Sequence, residues 1–175
     1  MNLFLIGYRC SGKTTIGQSI AMTIGWSFVD SDTRVVNEYG KSIKDIIDTE
    51  GWGAFRRMER STLAQICTED RQVVATGGGV VLDADNVAAM QASGKVIWLS
   101  ATAETIQKRM LQDKNTGDLR PALTDKGRMA EIEDLLLKRN PYYDRACDFS
   151  IHTDEVPVIE ISAIIIQRIK DKIGE

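Results

Sequence analysis

The chain is short of the residues that build redox, metal and imidazole chemistry. It carries three cysteines, Cys10, Cys67 and Cys147, and no two of them form a C-x-x-C pair. That spacing argues against a zinc site and against a disulfide framework, and it suits a reducing compartment. Cys67 and Cys147 read as core residues. The one histidine, His152, follows a strand-like run and reads as structural or exposed, so nothing here calls for a catalytic imidazole. Net charge is also low, at -3. No global field draws the chain to nucleic acid or to an anionic membrane, and neither is expected as a partner. An anionic substrate must then be held by local arginines and lysines. Long apolar runs are missing as well. The N-terminal run lacks a basic lead and is not expected to be a signal peptide. The apolar stretch from Val156 to Ile173 is broken by Glu160, Gln167, Arg168 and Lys170, which predicts an amphipathic docking helix rather than a membrane span. A cytoplasmic location is the matching expectation. There is no internal repeat, low-complexity segment or coiled-coil heptad, and a monomer is expected.

What is present suits one domain with a full core: 175 residues, 43% hydrophobic and 27% charged. Five short apolar runs read as strands: Leu3–Ile6, Ser27–Val29, Val73–Ala75, Val96–Leu99 and Phe149–Ile151. Helical patterns lie between and after them, at Lys13–Ile24, Thr33–Tyr39, Ile43–Thr49, Gly53–Glu69, Ala84–Gln91, Ala103–Leu111, Met129–Arg139 and Val156–Lys172. Strands alternating with helices predict a three-layer α/β domain, a parallel sheet covered on both faces. Ser42, with Asp45 three residues on, predicts a helix cap, as does Thr102 with Thr105. The polar stretch of about 112–126 has no periodicity, and a loop of that length in a compact domain is usually functional or mobile.

The strongest single signal is Gly7-Tyr8-Arg9-Cys10-Ser11-Gly12-Lys13-Thr14, a G-x-x-x-x-G-K-T phosphate loop. It leaves a predicted strand and enters a predicted helix. That context turns backbone N–H groups toward a phosphate at a helix N-terminus. Cys10, Ser11, Gly12, Lys13, Thr14 and Thr15 are the expected nucleotide contacts. Lys13 should reach the outer phosphates, and the Thr14 hydroxyl should ligate Mg²⁺. The Cys10 thiol, among N–H donors and near Lys13, is either an oxidation-sensitive thiolate or a small residue filling the loop.

Three further clusters sit where such a site needs them. Asp30-Ser31-Asp32 ends the second strand, where ligands of open α/β sheets bind. Asp30 can hold the hydration shell of Mg²⁺, and Asp32 can take the proton of an acceptor hydroxyl. The alternative is that one of them only caps the next helix. Thr76-Gly77-Gly78-Gly79 follows the third strand and brings bare backbone close to a ligand. Arg56 and Glu59 are spaced i, i+3 on one helical face, and an oriented arginine is the usual fork for a carboxylate. Arg57 points elsewhere. Trp26, Trp52 and Trp98 read as packing residues, with Trp52 near the acceptor pocket.

In this order the clusters resemble those of shikimate kinases. The resemblance rests on the phosphate loop, Asp30-x-Asp32, Gly40-Lys41-Ser42-Ile43, Phe55-Arg56-x-x-Glu59 and Gly77-Gly78-Gly79. It continues through Leu119-Arg120-Pro121-x-Leu123, Arg139-x-x-Tyr142-Tyr143 and Ala146-x-Asp148. It implies a nucleoside-monophosphate-kinase-like P-loop fold with a five-stranded parallel sheet, a shikimate-binding region at about 31–61 and a mobile lid at about 112–126. It implies ATP-dependent phosphorylation of the 3-hydroxyl of shikimate, giving shikimate 3-phosphate and ADP on the way to chorismate and the aromatic amino acids. By the same resemblance Asp32 contacts the acceptor hydroxyl, and Arg56 and Arg139 clamp the acceptor carboxylate. Gly78, between Gly77 and Gly79, contacts the ring through its backbone, and Arg120 swings over the phosphates. Lys13, Asp32 and Arg120 are then the catalytic set. Trp52 departs from the family pattern, which commonly has glutamate there. Arg109 is the candidate for stacking on adenine, with Lys114 second. A gluconate kinase or another small-metabolite kinase on the same fold stays open, because a sugar acid would fit Arg56 and Arg139 nearly as well. A GTP-dependent switch is disfavoured, since no N-K-x-D motif is present.

Overall fold

A computed structural model describes residues 1–112 and 125–173. Five strands form one parallel sheet: β1 (Asn2–Ile6), β2 (Ser27–Asp30), β3 (Gln72–Ala75), β4 (Gly94–Ser100) and β5 (Phe149–His152), in the order β2-β3-β1-β4-β5. The helices are α1 (Lys13–Ile24), α2 (Ser31–Tyr39), α3 (Ile43–Ile66), α4 (Ala84–Ser93), α5 (Ala103–Gln112), α6 (Asp125–Ala146) and α7 (Val158–Ile173).

Side-chain alternation along β1 builds the three layers. Leu3 and Leu5 join Ile16 and Ile20 of α1 and Ile161, Ile165 and Ile169 of α7 on one face. Phe4 and Ile6 join Leu63 and Ile66 of α3, Met90 of α4 and Tyr143 of α6 on the other. Because both faces are covered, β1 is wholly buried and reads as an unbroken apolar run. The strand order turns at β1: β2 and β3 lie to one side of it, β4 and β5 to the other. Parallel sheets open a ligand crevice at such a turn, beyond the carboxyl ends of the strands.

Two elements differ from the sequence expectation. The patterns at 43–49 and 53–69 form one element, α3, kinked where Gly51 takes φ 82° and ψ 167°. The kink sets the first arm, with Ile46, against Phe55 and Val35 in a small cluster of their own beside the crevice. Helix α6 runs past the expected stop at Arg139 and through Pro141 to Ala146. Tyr143 and Ala146 are 0% and 1% exposed, so core packing outweighs the proline stop signal. Ser42 caps α3 as expected, its hydroxyl accepting from Asp45 N at 3.0 Å. Thr102 caps α5 less closely, at 3.3 Å from Thr105 N. Nearly all of the expected lid, with Lys114 and Arg120, lies outside the described residues. Among the described residues no helix is long and apolar enough to cross a membrane.

Candidate active site

The loop between β1 and α1 is held by its own lysine. Lys13 is 9% exposed and its Nζ donates to Gly7 O and Tyr8 O, both at 2.8 Å. Burial lowers its pKa to about 8, against the attraction of Asp32, Cys10 and Asp30. The ammonium is thus preorganised and thinly solvated, which strengthens its pull on a phosphate. Beyond the loop opens a cavity of about 470 Å³, lined by Cys10, Ser11, Gly12, Lys13, Thr14, Thr15 and Arg109. Every described residue expected to contact the nucleotide meets there. Arg109 is tied in place, its guanidinium donating to Cys10 O at 3.3 Å, Thr153 Oγ1 at 3.0 Å and Thr153 O at 2.7 Å. Thr153, Val156 and Val158 also line it, and sequence reasoning missed all three. Cys10 has φ 59°, is half-buried and packs toward the cluster of Tyr8, Ile106 and Met110.

Asp30 caps α2, the alternative weighed for it, and also lies beside Thr14. Its Oδ1 accepts from Thr33 N at 3.1 Å and caps α2, while Oδ2 accepts from the Thr14 hydroxyl at 3.3 Å. A hydroxyl and a carboxylate oxygen converging beside a phosphate cradle are the hard donors Mg²⁺ prefers. Among the described residues no three His, Cys, Asp or Glu side chains form a metal cage. Thr14 and Asp30 therefore fit an ion that keeps waters and phosphate oxygens as its other ligands.

A second cavity, of about 190 Å³, lies on the other side of the loop. Asp32, Arg56, Gly77, Gly78, Gly79 and Arg139, the whole expected acceptor set, line it together. Tyr8, Arg9, Lys44, Trp52, Phe55 and Glu59 complete the polar and aromatic wall. The helices deliver these groups from three directions: Asp32 from the first turn of α2, Arg56 and Glu59 from the second arm of α3, Arg139 from α6. Arg56 pairs with Glu59 Oε2 at 2.5 Å, and its Cζ lies 5.5 Å and 5.2 Å from the Trp52 and Phe55 ring centroids. The guanidinium is fixed by a charge behind it and two rings beside it. Arg139 Nη1 donates to Gly78 O at 3.4 Å, and the Tyr143 hydroxyl donates to the same oxygen at 2.5 Å.

The triple glycine is required by space at two of its positions. A Cβ on Gly77 would stand 2.7 Å from Asp32 Oδ1 and 2.9 Å from Glu59 Oε1; one on Gly79 would stand 2.3 Å from Arg56 Nη2. Asp32 Oδ1 and Glu59 Oε1 are buried and have no partner among the described residues. A buried carboxylate oxygen without a donor is costly, on the order of 1–3 kcal/mol. Burial raises the pKa of Asp32 to about 6, helped by repulsion from Asp30 and Glu59 and opposed by Lys13 and Arg56. Burial raises Glu59 as well, while Arg56 pulls it down. A carboxylate with a pKa near neutrality, facing a cavity, is suited to take a proton from a hydroxyl. Glu59 had been visible in sequence only as the partner of Arg56. His152 is exposed and pairs with Asp154 at 2.8 Å, as a structural residue would.

The shikimate kinase family model matches residues 9–170. The chain belongs to the shikimate kinase family. Among shikimate kinase relatives, that of Moorella thermoacetica is 42% identical, with 87% of this chain and 85% of the relative covered. Shikimate kinase 2 of Sodalis glossinidius is 38% identical over 95% of this chain and 94% of the relative. The shikimate kinase structure from Acinetobacter baumannii, a complex with shikimate, superposes with a TM-score of 0.87 at 30% identity, covering 99% of this chain and 95% of that one. That from Bacteroides thetaiotaomicron gives 0.90 at 27% identity, with 98% of each chain covered. The five-stranded parallel sheet is the P-loop kinase architecture that the resemblance implied.

Proposed function

We propose that the protein transfers the γ-phosphoryl group of ATP to the 3-hydroxyl of shikimate, giving shikimate 3-phosphate and ADP. One observation carries the reading. A nucleotide-sized cavity and a small arginine-lined cavity meet at one phosphate loop, and Asp32, with one carboxylate oxygen buried and unpartnered among the described residues, lines the second. ATP fits the first, with Lys13 and the N–H groups from Cys10 to Thr15 around its phosphates. A hydroxylated carboxylate fits the second, its carboxylate between Arg56 and Arg139 and its ring against the backbone of Gly77, Gly78 and Gly79. Asp32 accepts the hydroxyl proton as the oxygen attacks. Thr14 and Asp30 hold Mg²⁺, which when bound neutralises phosphate charge. Arg120 supplies lid charge over the phosphates and Arg109 borders the adenine end; the part given to Arg120 rests on its sequence motif. None of the three cysteines is in a disulfide, which fits a reducing cytoplasm; a monomer acting on small molecules completes the proposal.

ADP release, coupled to a spectrophotometric readout, tests this. Turnover should depend on shikimate and on Mg²⁺. Rapid turnover with gluconate but not with shikimate would replace the acceptor while leaving the fold and the loop intact.

A further inference from the structure

The phosphate loop changes cavities part-way along its length. Cys10 to Thr15 line the nucleotide cavity, whereas Tyr8 and Arg9 line the acceptor cavity. The change falls at Cys10, whose left-handed φ of 59° turns the chain there. Each side of the loop carries one charged residue, Lys13 toward the donor and Arg9 toward the acceptor. Arg9 is half-buried, its Nε is sealed from solvent, and that N–H has no hydrogen-bond partner among the described residues. An arginine N–H left in that state is costly unless a ligand satisfies it.

The charge inventory of the acceptor cavity says which ligand. Arg56 is already matched by Glu59. If the acceptor is a monocarboxylate, as proposed above, Arg56 and Arg139 suffice for it. Arg9 and Lys44 are then surplus in the substrate complex; Lys44 is exposed, whereas Arg9 is half-buried and belongs to the phosphate loop itself. After transfer the acceptor also bears a phosphate of nearly two negative charges. The guanidiniums of Arg9 and Arg139 stand 5.9 Å and 5.7 Å from the centroid of the same Tyr8 ring. The negative ring face eases the repulsion between the two cations.

We infer that Arg9 is the phosphoryl ligand on the acceptor side, the counterpart of Lys13, and that it binds the phosphate of the phosphorylated product. This rests on the acceptor reading above. In the step concerned, the bond between the terminal phosphorus and the bridging oxygen breaks and its electron pair leaves with ADP. A new bond forms from the acceptor hydroxyl oxygen to phosphorus, and the hydroxyl proton passes to Asp32. The phosphoryl oxygens thereby move from the Lys13 side of the loop to the Arg9 side, where a planar fork can hold two of them.

The test compares binding of shikimate and of shikimate 3-phosphate by calorimetry, with kcat, in wild type, Arg9→Met and Arg9→Lys. In Arg9→Met the product should bind at least about tenfold more weakly, the loss of a charge-assisted contact, while shikimate affinity stays within about threefold and kcat falls at least about tenfold. Arg9→Lys should recover part of the product affinity. Equal weakening of both ligands, or of neither, overturns the assignment. If Arg9→Met does not fold, Arg9→Lys decides alone: unchanged product affinity overturns the proposal, and a selective loss supports it. Failure of the wild type to phosphorylate shikimate would instead overturn the acceptor reading beneath it.

Discussion

Replacing Asp32 by asparagine should make the protein a poorer catalyst and a more stable fold. The carboxylate has a pKa raised from 3.8 to about 6, chiefly by burial. Its folded pKa thus lies above its unfolded one. Between these values the folded chain binds the proton that the unfolded chain has lost, so this group's contribution is complete below about pH 4. It is lost as pH rises through about 6. A shift of about two units corresponds to about 3 kcal/mol above pH 6. Asparagine removes the charge, but Lys13 then loses its strongest attracting neighbour, and part of the side chain is solvent-exposed. A gain of about 1–2 kcal/mol remains. At 2–4 °C per kcal/mol for a chain of this size, the melting temperature at pH 8 should rise by roughly 2–8 °C. At pH 4 the two proteins should melt together. The same substitution removes the proton acceptor proposed above, and general-base catalysis typically contributes about 10²–10⁴. We expect kcat to fall at least about 100-fold with ATP affinity little changed. Thermal melts at pH 4, 6 and 8 beside steady-state assays measure both effects. A stability difference independent of pH would refute the burial argument, and near-normal turnover would remove Asp32 from the proton transfer.

Other consequences are as direct. Gly79→Ala sets a methyl against the Arg56 guanidinium, so the acceptor KM should rise at least about tenfold while the ATP KM holds; an unchanged acceptor KM would show that Arg56 is free to shift. In the free enzyme Asp32 must be ionised and Lys13 protonated, so kcat/KM for ATP should rise through about pH 6 and fall above about pH 8. Bound phosphate stabilises the Lys13 ammonium, so the upper limb of kcat should lie further alkaline, and a coincident limb would count against contact between them. Cys10→Ala should keep kcat within about threefold, since the thiol fills space beside the loop. ATP should shield Cys10 from iodoacetamide, and equal alkylation with and without ATP would place the thiol outside the nucleotide cavity.

How much of this was legible in sequence follows from how far apart the cooperating residues lie. The phosphate loop, Asp30 and Asp32, and the triple glycine each end a strand, and a short motif at a strand end declares its place at the crevice without any tertiary contact. All five strands were legible for the same reason, since each is an apolar run bounded by turn residues. The α6 helix was read seven residues short at its C-terminal end because Pro141 is a local signal, whereas the burial of Tyr143 against Trp98, with ring centroids 5.7 Å apart, is a long-range one. Thr153 was missed on similar grounds: its hydroxyl reaches Ser11 O at 3.3 Å across 142 residues of chain. Arg9 and Glu59 make the sharper case. Both stood inside recognised motifs, Arg9 as an unassigned position of the loop and Glu59 as a partner for Arg56. What identifies them is the state of single atoms, the sealed Nε and the sealed Oε1, and that depends on how three helices close over β1 and β3. A motif specifies residue types at a spacing, whereas solvation of one nitrogen is set by everything packed around it. The unsatisfied atoms of a folded site can therefore assign roles that its motif leaves blank.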